Sequence, residues 1–368
     1  MGLKQGVLSM SDLKNSKKYN FDLGVFIGRF QPFHLGHLYS IVEALKSCEK
    51  LLILIGSAHR ARNIRNPWIY EERLDLLKNN LKTYDQEHQT NLSSRIFFEG
   101  LKDYLYDDLL WIQDVKNSIH KNLKSGQSVA IVGFEKDHST YYLKLFPEYG
   151  RIFISNFKNL NSTGIRQIYF IDGRTDLDSL PKPTQLFLKN YLENAQTRPE
   201  YLRLQEEYDL ILNYKKAWAH TPYPPIFVTT DAVVICQEHI LLVKRKYPPG
   251  KNLWATPGGF LEVTERTEQG LFRELIEETQ IKISPFLLKQ SLVQMKLFDH
   301  PERCQVGRVI THAGLINLEL SECPEVKAND DALLAQWWKL SELNQIEDQM
   351  HDDHYQIIQS FLSSLRTG

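Results

Sequence analysis

Residues 259–281 read GFLEVTERTEQGLFRELIEETQI, and this stretch decides how the C-terminal half is built. Glu274, Glu277 and Glu278 stand at positions i, i+3 and i+4 of a predicted helix, so their carboxylates share one face. Like charges on one face repel unless something cationic sits among them. Arg273 is beside them, and Glu265 lies upstream by about two turns. Ahead of the helix, Trp254-Ala255-Thr256-Pro257 followed by Gly258-Gly259 reads as a strand running into a loop. Hard carboxylate oxygens in that setting suit Mg²⁺ or Mn²⁺. A solvated acidic face would carry the same three glutamates, so the spacing by itself leaves both readings open.

The longer pattern resembles the Nudix box. Gly259, Glu265, Arg273, Glu274, Leu275, Glu277, Glu278 and Ile281 fall in its register, and Gln280 stands where that family has glycine. The family's glycine ends the helix in a left-handed turn, which glutamine adopts at a cost, so a reshaped helix end is expected. The resemblance implies a Nudix α/β/α sandwich that hydrolyses a nucleoside diphosphate linked to a second group. It implies Glu274, Glu277 and Glu278 as metal ligands, with the Gly259 carbonyl beside them. Glu274 and Glu278 would serve catalysis, and Arg273 would orient Glu265 and the helix. Val228–Val234, which contains TTDAVV, Phe298–Arg303, Gly307-Arg308, and Asn329–Ala332 before Trp337-Trp338 resemble the ADP-ribose pyrophosphatase branch. On that likeness the products are AMP and ribose 5-phosphate, and Arg245, Arg273, Arg303 and Arg308 contact ADP-ribose. Cys304-Gln305 departs from the Asp-x-Arg sequence commoner there, which bears on the substrate. Glu322, Glu325, Asp330 and Asp331 could supply a base or be solvated loop acids.

The N-terminal half is organised differently. Leu23–Ile27 reads as a buried strand, and Leu38, Ile41, Val42 and Leu45 form the apolar stripe of a helix. Between them lies Gly28-Arg29-Phe30-Gln31-Pro32-Phe33-His34-Leu35-Gly36-His37, a glycine-flanked turn opening a helix, the phosphate-binding arrangement of a doubly wound sheet. Strands are predicted at 51–55, 95–98, 128–132 and 151–154, and helices at 70–81 and 106–123, an alternation that implies a parallel Rossmann-like sheet. His34 and His37 could donate hydrogen bonds to phosphate or simply cap the turn. Gly28, Phe30, Pro32, His34, Gly36 and His37 match the GxFxPxHxGH signature, so the segment resembles the nucleotidylyltransferase superfamily. Asn161-Ser162-Thr163-Gly164-Ile165-Arg166 resembles its second signature.

The acceptor is suggested by SAHRARNIRNPWIYEER and VGFEKDHSTYYLKLFP, which resemble the archaeal-type nicotinamide mononucleotide (NMN) adenylyltransferases over about residues 22–172. That likeness implies NMN plus ATP giving NAD plus pyrophosphate. It places Gly28, Arg29, Phe30, His34, His37, Asn66, Trp68, Arg73, Gly133, Asp137, Ser162, Thr163 and Arg166 at ATP and NMN, with His34, His37 and Arg166 in catalysis. Trp68, ahead of a helix, would stack on the cationic nicotinamide ring, or sit in a core. Apart from its first residues the chain resembles the bacterial bifunctional NMN adenylyltransferase/Nudix hydrolases, which implies Mg²⁺ or Mn²⁺ in both halves. Competing readings are a hydrolytically silent ADP-ribose sensor, a Nudix half acting on another nucleotide such as NADH, or a different adenylyl acceptor.

Residues 1–20 read as a flexible tail, 21–219 as the adenylyltransferase with two C-terminal helices, and 220–368 as the Nudix half, joined through Thr221-Pro222-Tyr223-Pro224-Pro225. A net charge of -1 argues against a broad nucleic-acid surface, and no apolar run reaches membrane-spanning length. Four cysteines without metal spacing predict free thiols and a cytoplasmic protein. A homo-oligomer is compatible with the sequence.

Overall fold

The computed structural model describes residues 19–133 and 144–366. Asp137, its loop from Phe134 to Tyr142, and nearly all of the expected tail lie outside the described residues.

The first sheet contains β1 (Phe21–Gly28), β2 (Cys48–Ile55), β3 (Ile96–Gly100), β4 (Val129–Gly133) and β5 (Gly150–Phe153), in the order β3-β2-β1-β4-β5. Every pairing is parallel. The central strands are apolar on both faces because helices cover both sides, as crossover connections require. Leu51 to Ile55 and Val129 to Val132 are all buried accordingly. The helices are α1 (Leu35–Ser47), α2 (Tyr70–His88), α3 (Asp108–Lys121) and α4 (Ser162–Asp172). The chain reverses at β1, whose neighbours are β2 and β4, so their C-terminal ends form the crevice where such sheets bind ligands.

Two further helices, α5 (Lys182–Glu193) and α6 (Arg198–Ala217), pack on this half. Tyr169, Leu188, Tyr191, Tyr201 and Leu204 make one aromatic-rich core with Trp68.

The second sheet joins β6 (Ile226–Cys236), β7 (His239–Arg245), β10 (Leu292–Phe298), β11 (Arg308–Leu318) and β12 (Ala332–Lys339) in the order β10-β11-β6-β7-β12. Two short strands, β8 (Trp254–Ala255) and β9 (Gly258–Phe260), pair with β7 and β6. Its helices are α7 (Thr267–Thr279), α8 (Pro285–Ser291) and α9 (His354–Arg366). Leu271 and Leu275 bury the inner face of α7, and truncating either to alanine should cost about 2–5 kcal/mol.

Three features differ from the sequence reading. Gly258-Gly259 is not a loop: it forms β9, paired with Thr229–Asp231. A Cβ on Gly258 would lie 2.3 Å from the Thr230 carbonyl oxygen, so only glycine allows this approach. The turn α8 has no counterpart in the reading, being too short for a periodic signal, although Ser284 caps it and Pro285 opens it. The end of α7 is not reshaped: Gln280 takes the left-handed conformation at φ 45°, and its N–H donates to Ile276 O at 2.8 Å.

The halves touch directly. Arg65 donates to the carbonyls of Glu302 and Cys304, Arg60 donates to Gln356, Lys102 pairs with Glu347, and the Gly250 N–H donates to the buried carboxylate of Glu207. No helix among the described residues is long and apolar enough to cross a membrane. The four cysteines are free.

Candidate active sites

A cavity of about 370 Å³ opens over the ends of β1 and β4, and Gly28, Arg29, Phe30, His34, His37, Gly133, Ser162, Thr163 and Arg166 all line it. The glycine turn is strained there: Phe30 is fully buried at φ 53°, its ring edge-on to His37 at 4.8 Å. His34 is the N-cap of α1. Its Nδ1 accepts from the Gly36 and His37 N–H groups at 3.1 and 3.4 Å, while His37 Nδ1 accepts from the His34 N–H at 3.3 Å. The two rings stack at 3.7 Å. Capping and phosphate contact are therefore not alternatives. Each bare Nδ1 places the proton of a neutral ring on Nε2, which is a donor. Burial, and then the neighbouring His34, holds the His37 pKa well below the usual histidine value.

Asn161, rather than Ser162 or Thr163, caps α4, accepting from the Gly164 N–H at 2.9 Å. Ser162 donates to the Pro32 carbonyl instead. Arg166 is buried against the cavity wall. It donates to Gln31 O at 2.6 Å, Ile64 O at 3.1 Å and Thr163 Oγ1 at 3.3 Å. Burial lowers its pKa to about 9.

Three expected residues are placed elsewhere. Arg73 lies behind the cavity, where it donates to the carbonyls of Arg29, Gly56, Ser57 and Ile69 and ties the two strand-end loops together. Trp68 is 1% exposed, with Tyr169, Phe187 and Tyr191 around its ring, so the structure gives it the core position rather than an open stacking face. Asn66 lines a second, smaller cavity where the two halves meet.

In the C-terminal half, Arg273 gathers the box acids. Its Nε and Nη2 clasp Glu265 at 3.0 and 2.7 Å, and its Nη1 donates to Glu274 at 2.8 Å and Glu277 at 2.9 Å. Glu278 is buried, accepts from the Gly258 N–H at 3.0 Å, and has its pKa pushed up to about 8 by burial. Among the described residues no trio of His, Cys, Asp or Glu already converges as a metal centre. The donor chemistry nevertheless fits a hard divalent cation. The three glutamates belong to one helix, and a Cβ on Gly259 would meet Glu274 Oε1 at 2.5 Å, so the backbone of β9 lies against that carboxylate.

The four arginines assigned to ADP-ribose have separate partners. Arg245 donates to Pro249 O and Arg308 to Asp299 O, while Arg303 is buried with Asp353 at 2.9 and 3.1 Å and Asp231 at 3.6 Å. Among the described cavities none is lined by two of them. The sequence reading missed the buried group behind β9. There Asp353 also accepts from Tyr106 of the first half, while Thr256, His354 and Arg303 surround Asp231. No local spacing encodes that group.

A glycine-histidine turn at the switch point of a parallel sheet, with a carboxylate helix beside a Nudix-type sheet, defines a nucleotidylyltransferase fused to a Nudix hydrolase. Residues 25–155 match the Cytidylyltransferase-like family, and residues 227–361 match the NUDIX domain family. The structure superimposes on a bifunctional NMN adenylyltransferase/ADP ribose pyrophosphatase from Francisella tularensis with a TM-score of 0.85 and 38% identity, covering 93% of this chain and 99% of that one. A second structure of that description, complexed with AMP and a Mn ion, matches equally. A nicotinamide/nicotinic acid mononucleotide adenylyltransferase from Acinetobacter baylyi is 37% identical over 191 residues, 52% of this chain and 95% of that protein. An ADP-ribose pyrophosphatase from Methanocaldococcus jannaschii is 31% identical over 135 residues, 37% of this chain and 72% of that protein. The chain belongs to the family of bifunctional NMN adenylyltransferase/ADP-ribose pyrophosphatases.

Proposed function

We infer that this chain is a two-activity enzyme of NAD metabolism. The N-terminal half transfers adenylyl from ATP to NMN, giving NAD and pyrophosphate. The C-terminal half hydrolyses ADP-ribose to AMP and ribose 5-phosphate. The observation that carries the reading is the pairing, in one chain, of the His34–His37 cavity with the Arg273–Glu278 helix, in a family whose Francisella member is matched end to end. We take residues 21–219 and 220–368 as the two catalytic units.

In the transferase, the NMN phosphate attacks the α-phosphorus of ATP in line and pyrophosphate leaves. A phosphate nucleophile is already ionised, so no general base is required, and catalysis is positioning and charge neutralisation. His34 and His37 offer Nε2–H donors to the triphosphate at the positive end of α1. Arg29 and Arg166 supply positive charge, and the N-terminus of α4 with Ser162 and Thr163 adds donors. Glu302 is the single carboxylate among the described lining residues, so Mg²⁺ would arrive held by the triphosphate.

The Nudix half is metal-dependent, as its family is, with Mg²⁺ or Mn²⁺ as our assignment. Glu274, Glu277, Glu278 and the Gly259 carbonyl would hold it. The chemistry such an ion supplies is neutralisation of the pyrophosphate and a more acidic water. Arg273 keeps Glu274 and Glu277 on one side of the helix, and the Gly258 N–H fixes Glu278.

The test is product analysis on one preparation. NAD should form from NMN and ATP, and AMP from ADP-ribose with Mg²⁺ or Mn²⁺. Glu278→Gln should abolish only AMP release and His37→Ala only NAD formation. Loss of both products in either variant, or of neither, would contradict the two-site reading.

A further inference from the structure

The smaller cavity, about 110 Å³, is built by both halves, and it meets the large one at Arg29 and Glu302, which line both. Two of its lining residues are amides buried beyond nine-tenths: Asn66 from the transferase and Gln305 from the hydrolase, 7% and 4% exposed. Among the described residues neither Asn66 Oδ1 nor Gln305 Oε1 has a hydrogen-bond partner. The orientation of Gln305 is fixed, because its Nε2 donates to Asp352 Oδ1 at 3.1 Å. Its oxygen is therefore left as an acceptor, and a buried acceptor without a donor is costly to maintain. Three guanidinium groups and three carboxylates also line the cavity, but Arg60 and Arg65 are engaged and Arg29 is shared with the large cavity. Arg65 holds the Glu302 and Cys304 carbonyls, Arg60 holds Gln356 and lies 3.7 Å from Asp103, and Arg29 lies 3.8 Å from Glu302.

We propose that Gln305, from the hydrolase half, completes the acceptor subsite of the transferase half and selects a base carrying a neutral carboxamide over one carrying a carboxylate. An acceptor nucleotide whose phosphate lies in the large cavity extends its base past Arg29 and Glu302 into the small one. An amide NH₂ there donates to Gln305 Oε1, with Asn66 beside it. A carboxylate brings no donor and leaves that oxygen unmet, a mismatch that buried polar groups reject strongly. The proposal rests on the adenylyltransferase reading above. It gives the hydrolase half a part in the other half's specificity.

The experiment is steady-state kinetics of the full chain with nicotinamide mononucleotide and nicotinic acid mononucleotide as competing acceptors. Wild type should prefer the amide by at least about tenfold in kcat/KM. Gln305→Met, which keeps the length and removes the acceptor, should raise KM for the amide about tenfold, leave KM for the acid and for ATP in place, and so collapse the ratio. Gln305→Lys should move the preference toward the acid. Melting temperatures verify that both variants fold, and the wild-type preference is measured independently of them. An equal wild-type preference, or a parallel change for both acceptors, would overturn the proposal while leaving the adenylyltransferase reading intact. Absence of any NAD formation by wild type would overturn both.

Discussion

Arg65 Nη1 donates to the backbone carbonyl of Glu302 at 2.6 Å, across 237 residues of sequence. Its Nη2 reaches the Cys304 carbonyl at 3.2 Å. Between those two carbonyls, the Arg303 side chain turns the other way and is buried against Asp353, which also accepts from Tyr106. The connection from β10 to β11 is therefore pinned from the transferase side and from the hydrolase core together. Its residues Glu302 and Gln305 thereby reach the transferase cavities.

If Arg65 is the outer pin, Arg65→Ala should release this connection without unfolding either half. Amide hydrogen exchange across 299–307 should quicken by about tenfold or more, since local opening loses two charge-assisted hydrogen bonds. The melting temperature should move little. Unchanged exchange would mean that Arg303 and Asp353 hold the segment alone.

Arg273 holds three carboxylates at once, and a bidentate clasp on Glu265 is something lysine cannot reproduce. Arg273→Lys should lower ADP-ribose hydrolysis by about 10- to 100-fold, the usual penalty for losing a residue that orients ligands. NAD formation should be untouched. A variant with full hydrolytic activity would show that the helix holds its acids in place unaided.

Gln280 occupies a left-handed cap where its side chain is exposed. Gln280→Gly should relieve the conformational cost, net of the greater freedom glycine has when unfolded, by about 0.5–1 kcal/mol. Differential scanning calorimetry should show a rise of about 2–4 °C per kcal/mol in the hydrolase transition. A fall would mean that the glutamine makes an unrecognised contact.

Much of this was legible before the structure. The strand predicted at 51–55 lies within β2, and α2 begins at the predicted Tyr70. That helix runs on to His88, and the extension beyond the predicted residue 81 carries no sequence signal because KTYDQEH is polar and has no apolar period. The strand β9 is invisible to pattern, since three residues centred on glycines signal a loop. The departure at Cys304-Gln305 was visible, but its setting depends on a partner half that no spacing reports. Trp68 shows the reverse case: a tryptophan before a helix fits a stacking lid or a core, and only Tyr169, Phe187 and Tyr191 around it place this one in the core.

His37 and His351 both have pKa values held well below the usual histidine value by burial. Arg245, His354, Arg303 and Arg60 add to the effect at His351, with the Asp352 carboxylate 3.5 Å away. The unfolded chain takes up protons at these rings near pH 6.5 while the folded chain does not, so stability present above that pH is lost as pH falls through and below it. Thermal melts at pH 7.5 and 5.5 should show a larger acid loss for wild type than for His351→Gln. Equal losses would contradict the assignment.

The most direct test of the account follows both products from one sample of wild type, Glu278→Gln and His37→Ala, with NMN, ATP and ADP-ribose supplied in turn. Wild type should give NAD and AMP, Glu278→Gln NAD alone and His37→Ala AMP alone. AMP release from Glu278→Gln at the wild-type rate, or undiminished NAD formation by His37→Ala, would contradict it.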